Sequence, residues 1–108
     1  MLCHRTEFYC PASHHCAACA ADSGDADPCV PYVGTQRWID SLGLPTQTPW
    51  HPWTTNNFVS GYTTVYAGEG VGSNFTFTTI RDAGHMAPRY KPSETLQMIT
   101  RYLAKQPM

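Results

Sequence analysis

The sequence predicts an α/β chain made of a helix, a β-hairpin and a terminal helix, with one domain at most in 108 residues. Three observations carry this reading. Apolar residues recur at helical spacing over residues 34–42. Two runs at 61–67 and 74–80 are dense in β-branched and aromatic residues, and an amphipathic stretch follows at 92–104. Hydrophobic residues make up 42% of the chain and charged residues 14%, a globular balance. A net charge of −1 gives no electrostatic footprint for nucleic acid or acidic membrane partners. No apolar run is long enough to cross a bilayer, and Met1-Leu2-Cys3-His4-Arg5 is not followed by the apolar stretch of a secretory signal.

Residues 1–21 read as an atypical Cys/His/Ala-rich, disordered N-terminus, set apart from a domain over 22–108. Four of the five cysteines (Cys3, Cys10, Cys16, Cys19) crowd there, and an odd count defines no even disulfide framework. With His4, His14 and His15 they offer an alternative, a small Cys/His metal-binding module around Cys16-x-x-Cys19. A structural zinc site needs a second close pair, and Cys3 and Cys10 are separated by six residues, too loose a match. Adventitious thiols are the preferred reading, and no metal is expected. Residues 16–22 make a poor strand, being rich in Ala and Cys.

The first helix carries Thr35, Trp38, Ile39 and Leu42 on its apolar spacing, and Gly43 and Pro45 end it. Residues 46–57, with Pro49, Pro52, Trp50 and Trp53, read as a Pro-punctuated loop. The two β-like runs, joined by the Gly-rich 68–73, read as an antiparallel hairpin. The last helix starts at Pro92, has Glu94 at the positive end of its dipole, and carries Arg101 and Lys105 near the other. Leu96, Ile99 and Leu103 share one of its faces, with Met98 and Tyr102 beside them. Trp38, Trp50, Trp53, Tyr62 and Tyr66 read as core and loop packing, because nothing basic interleaves with them.

Two motifs carry chemistry. Ala83-Gly84-His85-Met86-Ala87-Pro88 holds a histidine in a tight loop between a β-run and a helix. That suits a general base, which aims one ring nitrogen at a nucleophile and the other at an orienting carboxylate. Ser23-Gly24-Asp25-Ala26-Asp27 supplies the carboxylate, upstream and just before a helix. Aspartate first and histidine later is the order Ser…Asp…His of the α/β-hydrolases with the serine portion removed. No Gly-x-Ser-x-Gly occurs in the chain, so the nucleophile is missing.

These motifs resemble the C-terminal end of the serine carboxypeptidase family. The resemblance covers residues 23–108: Ser23–Asp27 with Val30-Pro31 and Gly34-Thr35, then Trp38–Leu42, Gly61-Tyr62, Val65-Tyr66 and Ala83–Pro88. It implies the C-terminal fragment of an α/β-hydrolase fold and hydrolysis of C-terminal peptide bonds through an acyl-serine intermediate, with no cofactor. By position, Asp27 matches the family's catalytic aspartate and His85 its catalytic histidine. Met86 is expected to line the leaving-group pocket, or equally to serve as ordinary packing, while Asp25 is expected to support the turn. The same triad serves a carboxypeptidase-like acyltransferase branch, which stays open as an alternative. A peptide C-terminus is the implied partner once the missing N-terminal portion completes the site, and the chain by itself is expected to be inactive.

Asn74-Phe75-Thr76 is a sequon for N-glycosylation at the end of a Gly-rich turn. It fits the lysosomal, vacuolar or secreted location that the resemblance implies. In that family most of the sheet lies upstream of the matching segment. The hairpin and terminal helix are therefore expected to leave apolar faces unpartnered, and the lone chain to be marginally stable or to aggregate.

Overall fold

A seven-residue strand far from the hairpin in sequence lies directly beside it, parallel to its second strand, and this pairing sets the architecture. The computed structural model describes residues 7–9, 18–68 and 74–108. Its elements are β1 (Glu7–Tyr9), β2 (Ala18–Gly24), α1 (Tyr32–Ser41), β3 (Thr46–Thr55), β4 (Phe58–Ala67), β5 (Asn74–Ile80), α2 (Ala87–Tyr90) and α3 (Pro92–Leu103). Among the described residues the strands form one mixed five-stranded sheet in the order β1-β2-β5-β4-β3. β2 runs parallel to β5, and the other neighbours are antiparallel.

The expected hairpin is β4 and β5, in register through Thr63↔Thr78 and Val65↔Thr76. Most of the connecting turn, residues 69–73, lies outside the described residues. Strand β2 differs from its sequence reading. Ala18–Gly24 has little β-propensity of its own, yet it is paired on both edges, to β1 and to β5. Its small Ala21 is buried with Ile39 of α1, Tyr66 and Phe77, so tertiary packing overrides propensity.

Residues 46–55 also differ, forming strand β3 where a loop is expected. Proline cannot donate to a ladder, but β3 is an edge strand, where one side needs no partner. The register slips between Thr46 and Thr48, between Thr48 and His51, and between Trp53 and Thr54, so Pro49 and Pro52 sit in an irregular ladder. A two-residue turn joins β3 to β4. Asn56 (φ 50°) and Asn57 (φ 66°) both take the left-handed backbone of a type I′ hairpin.

The helices lie over separate apolar clusters. One cluster joins α1 to the sheet through Ile39, Ala21, Tyr66 and Phe77, and the Tyr66 hydroxyl donates to Asp40 Oδ1 at 3.3 Å. The other gathers Trp53, Ile80, Ala83, Ala87 and Met98, with Ile99 packed against it. Here α3 is turned by about one residue from the expected face. Thr95 and Met98 are buried, whereas Leu96 and Leu103 are 66% and 73% exposed. The row at 95, 98 and 99 follows the i, i+3, i+4 spacing, and its Met98 and Ile99 join the cluster that holds the small Ala83 and Ala87.

Candidate active site

Parallel strands end at the same edge of a sheet, and the segments that leave β2 and β5 do so side by side. The register pairs Gly24 with Ile80, the last residue of each strand. Asp27 follows three positions after Gly24, and His85 five after Ile80. The carboxyl end of such strands is where open α/β sheets place their ligand crevices.

The two segments approach as closely as backbones can. Asp25 N–H donates to the Ile80 carbonyl at 3.1 Å, and Ala26 N–H donates to the Ala83 carbonyl at 3.0 Å. A Cβ on Gly24 would collide with the carbonyls of Ala83 and Gly84, so only glycine permits this approach. Beneath the histidine segment, Trp53 is 1% exposed and its Nε1 donates to the Thr79 carbonyl at 2.9 Å. Gly61 makes room for that bond, because a Cβ there would meet Trp53 Nε1 and the Thr79 carbonyl. Tyr90 lies over Gly84, within 3.2 Å of where a Cβ would stand.

Asp27 is the fixed point of the site. Pro28 has no N–H, so the first backbone donors after Asp27 are Cys29 and Val30, and both reach Oδ1, at 2.8 and 3.2 Å. Oδ2 faces His85 Nδ1 at 2.9 Å, and the Asp27 side chain is 5% exposed. Burial pushes the Asp27 carboxyl pKa up from its ordinary 3.8. The hydrogen bonds from His85, Cys29 and Val30 and the charge of His85 together outweigh burial, leaving the pKa below that value. An ionised Asp27 can only accept, so Nδ1 of His85 donates to it. The neutral imidazole then carries its lone pair on Nε2, the basic nitrogen a general base needs. His85 is 37% exposed, so this ring is open to a partner.

The other predicted residues fall around this pair. Met86, which follows His85 in sequence, is 47% exposed and stands at the N-cap position of α2 without a side-chain capping bond. Asp25 supports a turn, though the opposite one: its Oδ1 accepts from Asp82 N–H at 2.7 Å. Asn74 is exposed as the first residue of β5. Cys3, His4, Cys10, His14, His15 and Cys16 lie outside the described residues. Among the described residues no group of three His, Cys, Asp or Glu could hold a metal ion. No helix among them is long and apolar enough to cross a membrane. Sequence reasoning missed the amides of Cys29 and Val30, although an Asp followed by Pro and two free amides is the local signature of an Asx turn.

The same segment is matched by a known family. The serine carboxypeptidase pattern aligns with residues 18–105. The chain belongs to the serine carboxypeptidase family. It is 46% identical over 82 residues to serine carboxypeptidase-like 21 of Arabidopsis thaliana, covering 76% of this chain and 16% of that protein. Serine carboxypeptidase 1 of Hordeum vulgare is 48% identical over 82 residues, 76% of this chain and 15% of the barley protein. Serine carboxypeptidase-like 17 of Arabidopsis thaliana is 45% identical over 86 residues, 80% of this chain and 18% of its own length. The chain thus spans under one fifth of these relatives. Family membership implies an α/β-hydrolase fold, and the mixed sheet with helices is consistent with part of that fold.

Proposed function

We propose that this chain is the C-terminal part of a serine carboxypeptidase and supplies Asp27 and His85 to a Ser–His–Asp triad that cleaves C-terminal peptide bonds. The 2.9 Å contact between His85 Nδ1 and Asp27 Oδ2, at the shared edge of two parallel strands, carries the reading. In the completed site Nε2 of His85 takes the proton of a serine hydroxyl as the oxygen attacks the scissile carbonyl. Asp27, ionised and held by two amides, stabilises the imidazolium that forms. His85 then gives the proton to the leaving amine, and water repeats the cycle on the acyl-serine. Met86 lines the side on which the leaving group departs.

The chain has no Gly-x-Ser-x-Gly, so the 108 residues by themselves form no acyl intermediate. Exposed Asn74, within its sequon, supports passage through the secretory pathway to a lysosome, a vacuole or the outside.

The test grafts residues 18–105 in place of the matching segment of the barley serine carboxypeptidase and follows hydrolysis of a blocked dipeptide at mildly acid pH. Activity that His85→Gln abolishes is the expected result. A folded chimera without activity, or one indifferent to His85→Gln, overturns the proposal. The isolated chain should neither hydrolyse the dipeptide nor take a fluorophosphonate label.

A further inference from the structure

Besides the His85–Asp27 contact itself, three hydrogen bonds join the Asp27 and His85 segments among the described residues, and one of these three uses a side chain. Asp25 N–H reaches Ile80 O and Ala26 N–H reaches Ala83 O, both backbone to backbone. The third is Asp25 Oδ1 accepting from Asp82 N–H at 2.7 Å. Asp82 has φ 56°, a left-handed backbone that costs residues other than glycine energy, although aspartate takes it more readily than most. The turn it makes redirects the chain from β5 toward His85, which lies three residues on. An acceptor on the neighbouring segment that captures the Asp82 amide fixes that turn.

We infer that Asp25 is a positioning residue for the Asp27–His85 pair, acting through the Asp82 amide to fix the turn that carries the imidazole. The inference rests on the function proposed above but concerns a residue outside the triad. Asp25 is exposed, and its carboxylate accepts from the Asp82 amide and not from His85, so it is assigned no proton transfer. Its contribution is alignment. Asp25 and Asp27 flank a single residue, so one short stretch of backbone sets both the anchor of the histidine turn and the carboxylate that receives Nδ1. The bond is charge-assisted, and two neighbouring backbone bonds already order both of its ends. A pair that must meet within about half an ångström depends on supports of this kind.

The full chain tests this by proton NMR. In the wild type a hydrogen-bonded His85 Nδ1 proton should give a low-field signal, identified by its loss in His85→Gln. Asp25→Ala should broaden that signal or move it upfield, while the thermal midpoint falls no further than in Ile39→Val, a core variant that should keep the signal. Asp25→Asn retains a carbonyl acceptor and should keep it too. An Asp25→Ala chain with an unchanged signal overturns the inference, as does an Asp25→Asn chain that loses it equally. A wild-type chain that melts cooperatively yet shows no His85-dependent low-field signal overturns the Asp27–His85 pairing itself, and with it both proposals. The two failures are therefore told apart by the wild-type chain alone.

Discussion

The segments carrying Asp27 and His85 leave adjacent strands at the same edge, yet they are built in opposite ways. Asp27 is 5% exposed with both carboxylate oxygens engaged, by two amides of its own turn and by the imidazole. His85 is 37% exposed, and its segment is held mostly from below, by the burial of Ala83 and Ala87 against Trp53 and Met98. The acid is fixed by local hydrogen bonds and the base by packing at a distance. That division suits the chemistry proposed for them: an orienting carboxylate profits from being immobile and ionised, whereas a base must stay accessible to a reacting proton. It also predicts that the two halves fail for different reasons.

The largest effect should come from the floor of the histidine segment. Trp53→Ala removes a fully buried indole from the cluster with Ile80, Ala83, Ala87 and Met98, together with its bond to Thr79. A loss of about 4 kcal/mol is expected, enough to abolish a cooperative thermal transition in a marginal domain. Trp53→Phe keeps most of the apolar volume and should lose roughly half as much. Equal losses in the two variants would mean that the hydrogen bond, and not the packing, holds the histidine side.

Gly24→Ala attacks the junction between the halves. Its Cβ has nowhere to go but into the Ala83 and Gly84 carbonyls, which are backbone and cannot rotate aside. A cost of about 3 kcal/mol is expected from the forced separation of the segments. The low-field His85 signal should disappear in whatever population still folds. A variant that melts like the wild type would show that the two strands tolerate a wider approach.

Asp27→Asn breaks the acid side while sparing the fold. The amide oxygen can still accept from Cys29 and Val30, but its NH2 would face Nδ1 and favour the wrong imidazole tautomer. In the barley chimera, hydrolysis should fall by roughly 10³- to 10⁴-fold. The pH dependence of stability has a definite sign. The folded Asp27 titrates below the ordinary 3.8. Its stabilisation is therefore complete above 3.8 and is lost as pH falls through the lower folded value. Thermal melts of the wild type and Asp27→Asn should differ at neutral pH and converge at strongly acid pH. A gap that stays constant over that range would mean that Asp27 does not titrate as an ionised partner of His85.

The elements with a strong period were legible in the sequence. Helices α1 and α3 and the β4–β5 hairpin stand within a few residues of where periodicity and β-branched runs place them. Strand β2 was not legible, because Ala18–Gly24 becomes a strand through partners on both edges and not through its own residues. Strand β3 was hidden by Pro49 and Pro52, which read as a loop until its edge position is known. Both halves of the site could be read as motifs, since Asp27 and His85 each sit in a characteristic short segment. Their pairing was an expectation of the motif order, but its geometry was not legible, because it depends on the parallel register of two strands, one ending at Gly24 and the other beginning at Asn74. The outward turn of Leu96 and Leu103 likewise depends on how α3 meets Ala83 and Ala87, which no helical period reveals.

The smallest expected effect lies at the turn that flanks the histidine side alone. Asn56 and Asn57 close the β3–β4 hairpin, and β4 ties to the histidine segment through Arg81 N–H donating to the Ser60 carbonyl at 2.8 Å. Asn57 has φ 66°, which alanine adopts at a cost of about 1 kcal/mol and glycine at none. Asn57→Ala should therefore lower the thermal midpoint modestly, and Asn57→Gly should match or exceed the wild type. Neither should shift the His85 Nδ1 signal, because the hairpin turn is separated from the imidazole by the Trp53 cluster and by the Asp82 turn. If Asn57→Ala moves that signal as Asp25→Ala is expected to, the histidine segment takes its alignment from the hairpin and not from the Asp25 anchor. The contrast between a locally fixed acid and a remotely supported base would then extend to the turn itself.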